Sequence, residues 1–383
     1  MEKRFIIAVA ALAALAACKE ITIDEAPARK IAFEVASYVP QTRASLGSGS
    51  SLWDEFSADG SVTPSFYTWA YFYPAEGSAQ TYMNKVQINP NATSKAATSE
   101  WAPAIDYFWP RTGYIDFFSF TSVRDLSSQV SWGTNGSAFS LGTAASPVVV
   151  EGTDNIMLAD ACYYAKNATD DTITQAGEAS PTGVPTLFRH LLCKVEFNVK
   201  LVDNGTAHTG TNYQVDIVSG SVTNITTNGY INAITPEAKS GADLQIKSWN
   251  TSGAQRWSEA SSPATEAPAF TATSSPLAME SGVNKESSEA GLIAMRAFRP
   301  QAITDASVIN LKYTVRAYHD GETNPYFTET VTIDPVKLNT AGLSAWNMND
   351  KIVYTIKINP VTNRITFDPA VETWTERTGE ITL

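Results

Sequence analysis

Apolar residues along this chain recur mainly at every second position, which is the spacing of strands. Lys30-Ile31-Ala32-Phe33-Glu34-Val35-Ala36-Ser37-Tyr38-Val39-Pro40 alternates, with Ile31, Phe33, Val35 and Val39 on one side. That pattern predicts a strand with one face in a core. Phe66-Tyr67-Thr68-Trp69-Ala70-Tyr71-Phe72-Tyr73 stops at Pro74, and Ile115-Asp116-Phe117-Phe118-Ser119-Phe120 follows Gly113. Both read as aromatic-rich buried strands. Val148-Val149-Val150 and the run 154–162 close the first half. The cleanest predicted strand covers 187–201. Leu187, Leu191, Cys193, Val195, Phe197, Val199 and Leu201 face one way, while His190, Lys194, Glu196, Asn198 and Lys200 face the other. Further strands are expected at 213–218, 308–318, 326–333, 352–358 and 365–371.

No long amphipathic helix is evident. Short strands separated by turn signals predict an all-β protein built of sandwiches. Residues 169–185, with Asp170-Asp171, Gly177, Pro181, Gly183 and Pro185, read as a linker. It would divide an N-terminal domain at 44–168 from a C-terminal one at 186–383. Within the latter, 235–290 is rich in Ser, Ala, Thr, Pro and Glu and reads as either a surface insertion with its own short elements or a flexible excursion, since a structureless loop that long is unusual in a compact domain.

The N-terminus carries an address. Met1-Glu2-Lys3-Arg4 precedes an apolar run from Phe5 to Ala17, the layout of an export signal over residues 1–17. Leu15-Ala16-Ala17-Cys18 resembles a bacterial lipobox, which implies lipidation of Cys18 and anchorage in the outer membrane. Lys19-Glu20 partly resembles a surface-export signal, from which Ile21 departs.

Composition narrows the partners. Apolar residues make up 43% and charged residues 17%, so charge-driven disorder is not expected. Acids outnumber bases 39 to 27, for a net charge of −12. That balance argues against nucleic acid as a partner. Three histidines and three cysteines leave little material for a metal cluster, and neither metal nor cofactor is expected.

The sequence offers no catalytic set. His190 stands beside Arg189 and reads as solvent-facing or capping, His208 lies in a turn-rich loop, and His319-Asp320-Gly321 reads as a hairpin turn. No nucleophile elbow, His-Glu-x-x-His or phosphate-binding loop is present. Cys162 and Cys193 lie on predicted neighbouring strands, and are either a disulfide in an oxidising compartment or two buried thiols. Trp249 and Trp257 are either sugar-stacking platforms that contact a ligand or anchors that pin the insertion.

Taken in order, these segments resemble the fimbrillin family, the Mfa-like and FimA-like lipoprotein pilins of type V pili. The resemblance begins with the lipobox and the strand leading to Thr42-Arg43-Ala44. It continues through Tyr107-Phe108-Trp109-Pro110 with Ile115-Asp116-Phe117-Phe118, then Asp154-Asn155-Ile156-Met157 and Phe188-Arg189-His190-Leu191-Leu192-Cys193-Lys194-Val195. It ends with Ala345-Trp346-Asn347, Val353-Tyr354-Thr355-Ile356, Ile365-Thr366-Phe367 and Trp374.

The resemblance implies two transthyretin-like β-sandwich domains in tandem and a structural or tip role in a surface fimbria. It implies cleavage between Arg43 and Ala44, which would release the lipidated propeptide 18–43 and its strand Ile31, Phe33, Val35, Val39. The vacated groove would take a strand from another fimbrial subunit. Asp171-Thr172-Ile173 resembles the O-glycosylation acceptor of this bacterial group, which marks Thr172. Adhesion to a host or bacterial surface ligand is part of the same expectation. Two rivals remain: a non-polymerising surface-anchored lipoprotein that binds glycan or host protein, and a surface hydrolase, which no motif demands.

Overall fold

The computed structural model of the chain describes residues 30–37, 51–56, 62–165 and 183–373, with short breaks at 95–96, 99, 111, 242–243, 251–256, 267, 271–272, 274, 334, 340–342 and 363. Cys18, Val39, Arg43, Ala44 and Thr172 lie outside the described residues, as do segments 1–17 and 169–182. Among the described residues the protein is all-β, with a single α-helix, α1 (Ser51–Phe56), and two short 3-10 turns.

The first sheet contains β1 (Phe33–Ser37), β2 (Phe66–Tyr73), β3 (Gln80–Pro90), β4 (Trp101–Pro103) and β5 (Tyr114–Ser122). Its hydrogen-bonded order is Gln245–Lys247, Ala161–Ala165, β5, β2, β3, β4, β1, Val184–His190, Ile156–Ala159. Ile156–Ala159 also pairs with β5, from Phe120↔Leu158 to Ser122↔Ile156. The path therefore closes on itself, with β1 as one stave of the wall. The residues of β5 between its two ends are all buried, because each face of the strand meets a core. That accounts for its unbroken apolar and aromatic run.

One core, inside the closed path, gathers Phe33, Phe66, Trp101, Phe117 and Phe188. A second lies on the opposite face of β2 and β5 and draws from both sides of 169–185. There Trp69, Phe118, Phe120 and Phe139 meet Ile231, Trp249, Trp257 and Ala297. A third belongs to the C-terminal half, where two sheets are stacked. One runs Ala290–Phe298, Cys193–Leu201, Asp350–Asn359, Arg364–Thr373; the other runs Leu277–Met279, Thr211–Thr223, Val308–His319, Phe327–Thr332. Val195, Phe197 and Tyr354 from the first meet Val215, Ile217 and Tyr313 from the second.

Three expectations change. The strand read over 187–201 is two strands, Val184–His190 and Cys193–Leu201. Between them the chain leaves one sheet for another: Leu191 N–H bonds to Ile156 O, and Leu192 O accepts from Asn349 N–H. The alternation slips by one there, so Phe188 and His190 point inward before the break and Cys193 and Val195 after it. The stretch 235–290 is not a surface insertion. It supplies Gln245–Lys247 as the outer strand of the first sheet and Leu277–Met279 to the second half. Strand β3 carries no clear apolar alternation, having only Met83 and Ile88 buried, and the sequence pattern missed it.

Candidate functional site

The site built around β1 is a slot between two strand edges. Phe33 pairs with Trp101 of β4 on one side in antiparallel register. On the other, β1 runs parallel to Val184–His190 from Phe33↔Val184 to Ser37↔Phe188. Ile31 N–H bonds to Tyr107 O and Val184 N–H to Ala32 O, each at 2.8 Å. Lys30 pairs with Asp106 at 2.7 Å on the surface. Ile31, Phe33 and Val35 are 2%, 3% and 0% exposed, as their spacing predicts. The Phe33 ring meets Phe66 edge-on at 5.6 Å and Phe117 at 5.7 Å. Glu34, on the other face of the strand, has its carboxyl pushed above the ordinary range by partial burial.

Helix α1 lies directly behind this slot in sequence and is clasped to its wall. Leu52 and Trp53 are buried in the same core as Phe33. Asn155 Nδ2 donates to Glu55 O at 3.0 Å and to Glu55 Oε2 at 2.9 Å. His190 Nδ1 lies 2.9 Å from Asn155 Oδ1, and its Nε2 lies 3.4 Å from Glu55 Oε1. Burial pushes the His190 imidazole below its ordinary value, against the pull of the Glu55 carboxylate. Burial also acts to raise the Glu55 carboxyl, but the His190 contact, Lys194 and Asn155 outweigh it and hold the group low.

His190 is thus an interior residue, 3% exposed, and not the solvent-facing one its alternation implied; the one-residue slip at Leu191–Leu192 is the reason. No spacing signal links Glu55, Asn155 and His190, which come from a helix, a loop and a strand. Within the run Asp154-Asn155-Ile156-Met157, Asp154 binds Arg124 Nη2 at 2.8 Å and accepts from Glu151 N–H. Asn155 meanwhile supplies the clasp.

The other singled-out residues are scattered. Trp249 and Trp257 are each 4% exposed, and their indole N–H groups donate to Ala159 O and Leu191 O at 2.7 Å. Neither offers a face for sugar stacking, so ligand contact is replaced by pinning. Cys162 and Cys193 are free, buried thiols, not a disulfide. Cys193 Sγ–H donates to Phe298 O at 3.3 Å, and burial raises both thiols well above their ordinary value. His208 is buried, 3.3 Å from Asp203 Oδ2, and His319 stacks on Tyr326 at 4.2 Å. Among the described residues, no group of three or more His, Cys, Asp or Glu could hold a metal ion.

No protein-family model matches the chain, and no curated protein matches it. Solved structures do. A fimbrial protein from Bacteroides vulgatus is 15% identical, with a TM-score of 0.50 over 91% of this chain and 100% of that one. A candidate cell adhesion protein from Bacteroides uniformis is 15% identical over 90% and 98%, at a TM-score of 0.39. The fimbrial anchor protein Mfa2 from Porphyromonas gingivalis is 11% identical over 90% and 98%, at 0.27. The last two scores are too low to carry an argument. This chain shares the fold of the Bacteroides vulgatus fimbrial protein, in keeping with the fimbrillin resemblance of its motifs.

Proposed function

We propose that the chain is a structural or tip subunit of a bacterial surface fimbria. It is made as a lipoprotein anchored through Cys18 in the outer membrane and joined to other subunits by strand exchange after cleavage between Arg43 and Ala44. On this reading the chain builds two transthyretin-like sandwiches, and the assembled fimbria contributes to adhesion.

The seat of β1 carries the proposal. The strand is paired on both edges and fills the core with Ile31, Phe33 and Val35. Removing it would uncover two strand edges and a row of apolar pockets at every second position, the requirements for an added strand. Burying three such side chains contributes roughly 5–9 kcal/mol. Ordering residues 31–37, which carry them, costs roughly 7–14 kcal/mol. The two are of similar size, so its hydrogen bonds and its covalent tether hold the strand in place. Cutting the tether would let an equivalent strand compete. Arg364–Thr373 ends its sheet path, paired only with Asp350–Asn359 among the described residues, which supports 365–371 as part of a donor.

Purified protein treated with an arginine-specific protease should yield a chain starting at Ala44 and oligomers that survive sodium dodecyl sulfate. A cut chain that stays monomeric would instead favour the non-polymerising lipoprotein that binds glycan or host protein.

A further inference from the structure

Lys239 follows strand Asn228–Ile234 and reaches over to the first sheet, where its Nζ lies 3.0 Å from Asp116 Oδ2. The same nitrogen stands 5.0 Å from the ring centre of Tyr73, 4.8 Å from Tyr163, 4.9 Å from Tyr164 and 5.9 Å from Tyr114. Tyr73 closes β2, Tyr114 opens β5, and Tyr163 and Tyr164 lie in Ala161–Ala165 beside β5. Three adjacent strands thus turn four rings toward one point.

The backbone is bent to complete the arrangement. Tyr164 has φ of 59°, in the left-handed region, where the pairing of its strand with β5 shifts register. Its N–H donates to Asp116 Oδ1 at 2.9 Å, and the Tyr73 side chain and Lys239 hydrogen-bond the same carboxylate. Asp116 is wholly buried. Non-glycine residues in this region persist where the surroundings over-determine them, and they concentrate at ligand clamps. An open cleft of about 370 Å³ adjoins the cluster, lined by Asn135, Glu237 and the exposed side of Lys239 among others.

A structural ion pair needs one carboxylate and not four rings. Ring faces attract cations through their quadrupole, and a buried carboxylate among them selects a positive head that can also donate a hydrogen bond. Lys239 supplies that head here while keeping 33% of its side chain exposed. We propose that Tyr73, Tyr114, Tyr163, Tyr164 and Asp116 form a binding site for alkylammonium groups, with Lys239 as its resident, displaceable occupant. A ligand amine entering by the cleft takes the carboxylate and the ring faces, and the lysine head moves out into solvent. The site is independent of the β1 groove, so its test does not depend on strand exchange.

Lys239→Ala in the otherwise intact chain empties the cage. n-Butylammonium chloride, titrated at constant ionic strength with sodium chloride, should saturably perturb the tyrosine ring signals of this variant and raise its unfolding midpoint. 1-Butanol should act at least roughly tenfold more weakly, because the rings and Asp116 select charge. The unaltered chain should also respond at least roughly tenfold more weakly, because its own lysine competes at high effective concentration. A folded variant that does not distinguish n-butylammonium from 1-butanol would overturn the proposal. A second measurement needs no variant. Trimethylammonium chloride, whose head keeps one N–H and forms no stable acetyl product, should speed acetylation of Lys239 relative to the other lysines in the unaltered chain, whereas sodium chloride should not. Equal rates in the two salts would likewise overturn it.

Discussion

Gly183 lies so close to the backbone of Phe33 that a methyl group in place of its hydrogen would sit 2.8 Å from the Phe33 carbonyl carbon. It would also meet Ala32 O and Glu34 N at 2.9 Å. All three contacts are backbone, so nothing flexible can give way. Gly183→Val should therefore push β1 out of its slot, at a cost of about 1–3 kcal/mol for overpacking. Amide hydrogen exchange is the direct check. Residues 31–35 should exchange faster in the variant while Cys193–Leu201 stays unchanged. Unchanged exchange at 31–35 would mean that the approach is not limiting.

Phe33 is 3% exposed and contacts two phenylalanine rings. Phe33→Ala should lower stability by about 3–5 kcal/mol, read from denaturant unfolding. Phe327, 43% exposed, provides the control, since Phe327→Ala should stay within about 0.5 kcal/mol.

Trp249 and Trp257 act on stability and not on recognition. Each buries an indole and donates to a main-chain oxygen: Trp249 reaches across 169–185 to Ala159, and Trp257 holds the stretch to Leu191. Either residue changed to alanine should cost about 3–5 kcal/mol. Binding to a glycan array, measured on the folded variants, should be the same as for the parent chain.

The clasp on α1 makes stability depend on pH. His190 is depressed below 6.5 in the folded protein, so the unfolded chain takes up its proton first as the pH falls. The stability that His190 contributes is therefore complete above about 6.5 and is lost as the pH drops toward its folded value. Glu55, depressed below 4.5, adds loss of the same sign further into acid. Thermal unfolding of the parent chain and of His190→Gln between pH 7 and 5 should show a steeper decline in the parent. Parallel curves would mean that the imidazole titrates as it does in the unfolded chain.

Cys162 and Cys193 are buried as thiols, with ionisation suppressed by desolvation. Both should resist iodoacetamide in the folded protein and alkylate fully after denaturation without any reductant. Failure to alkylate under those conditions would indicate a bond between them.

A linear pattern could identify strands with one face in a core by their alternation, and β5, with a core on each face, by its unbroken apolar run. Ile31, Phe33 and Val35 declare their burial by spacing, and so do Val195, Phe197 and Val199, because a strand's side chains alternate whatever the strand pairs with. β3 escaped notice because its pairing partners, and not its own side chains, make it a strand. Trp249 and Trp257 could be read as exposed or buried because an indole in a polar stretch says nothing about what covers it.

From sequence alone follow the all-β class, the face that β1 buries and the absence of any familiar catalytic motif, since each depends only on residues close together along the chain. Only the tertiary structure decided that β1 is a stave between β4 and Val184–His190, and that His190 turns inward to Glu55. It alone brought Lys239 to four tyrosines from three strands. These relations join residues up to 166 positions apart, as Tyr73 and Lys239 are, and chain closure over such distances leaves no local period to read.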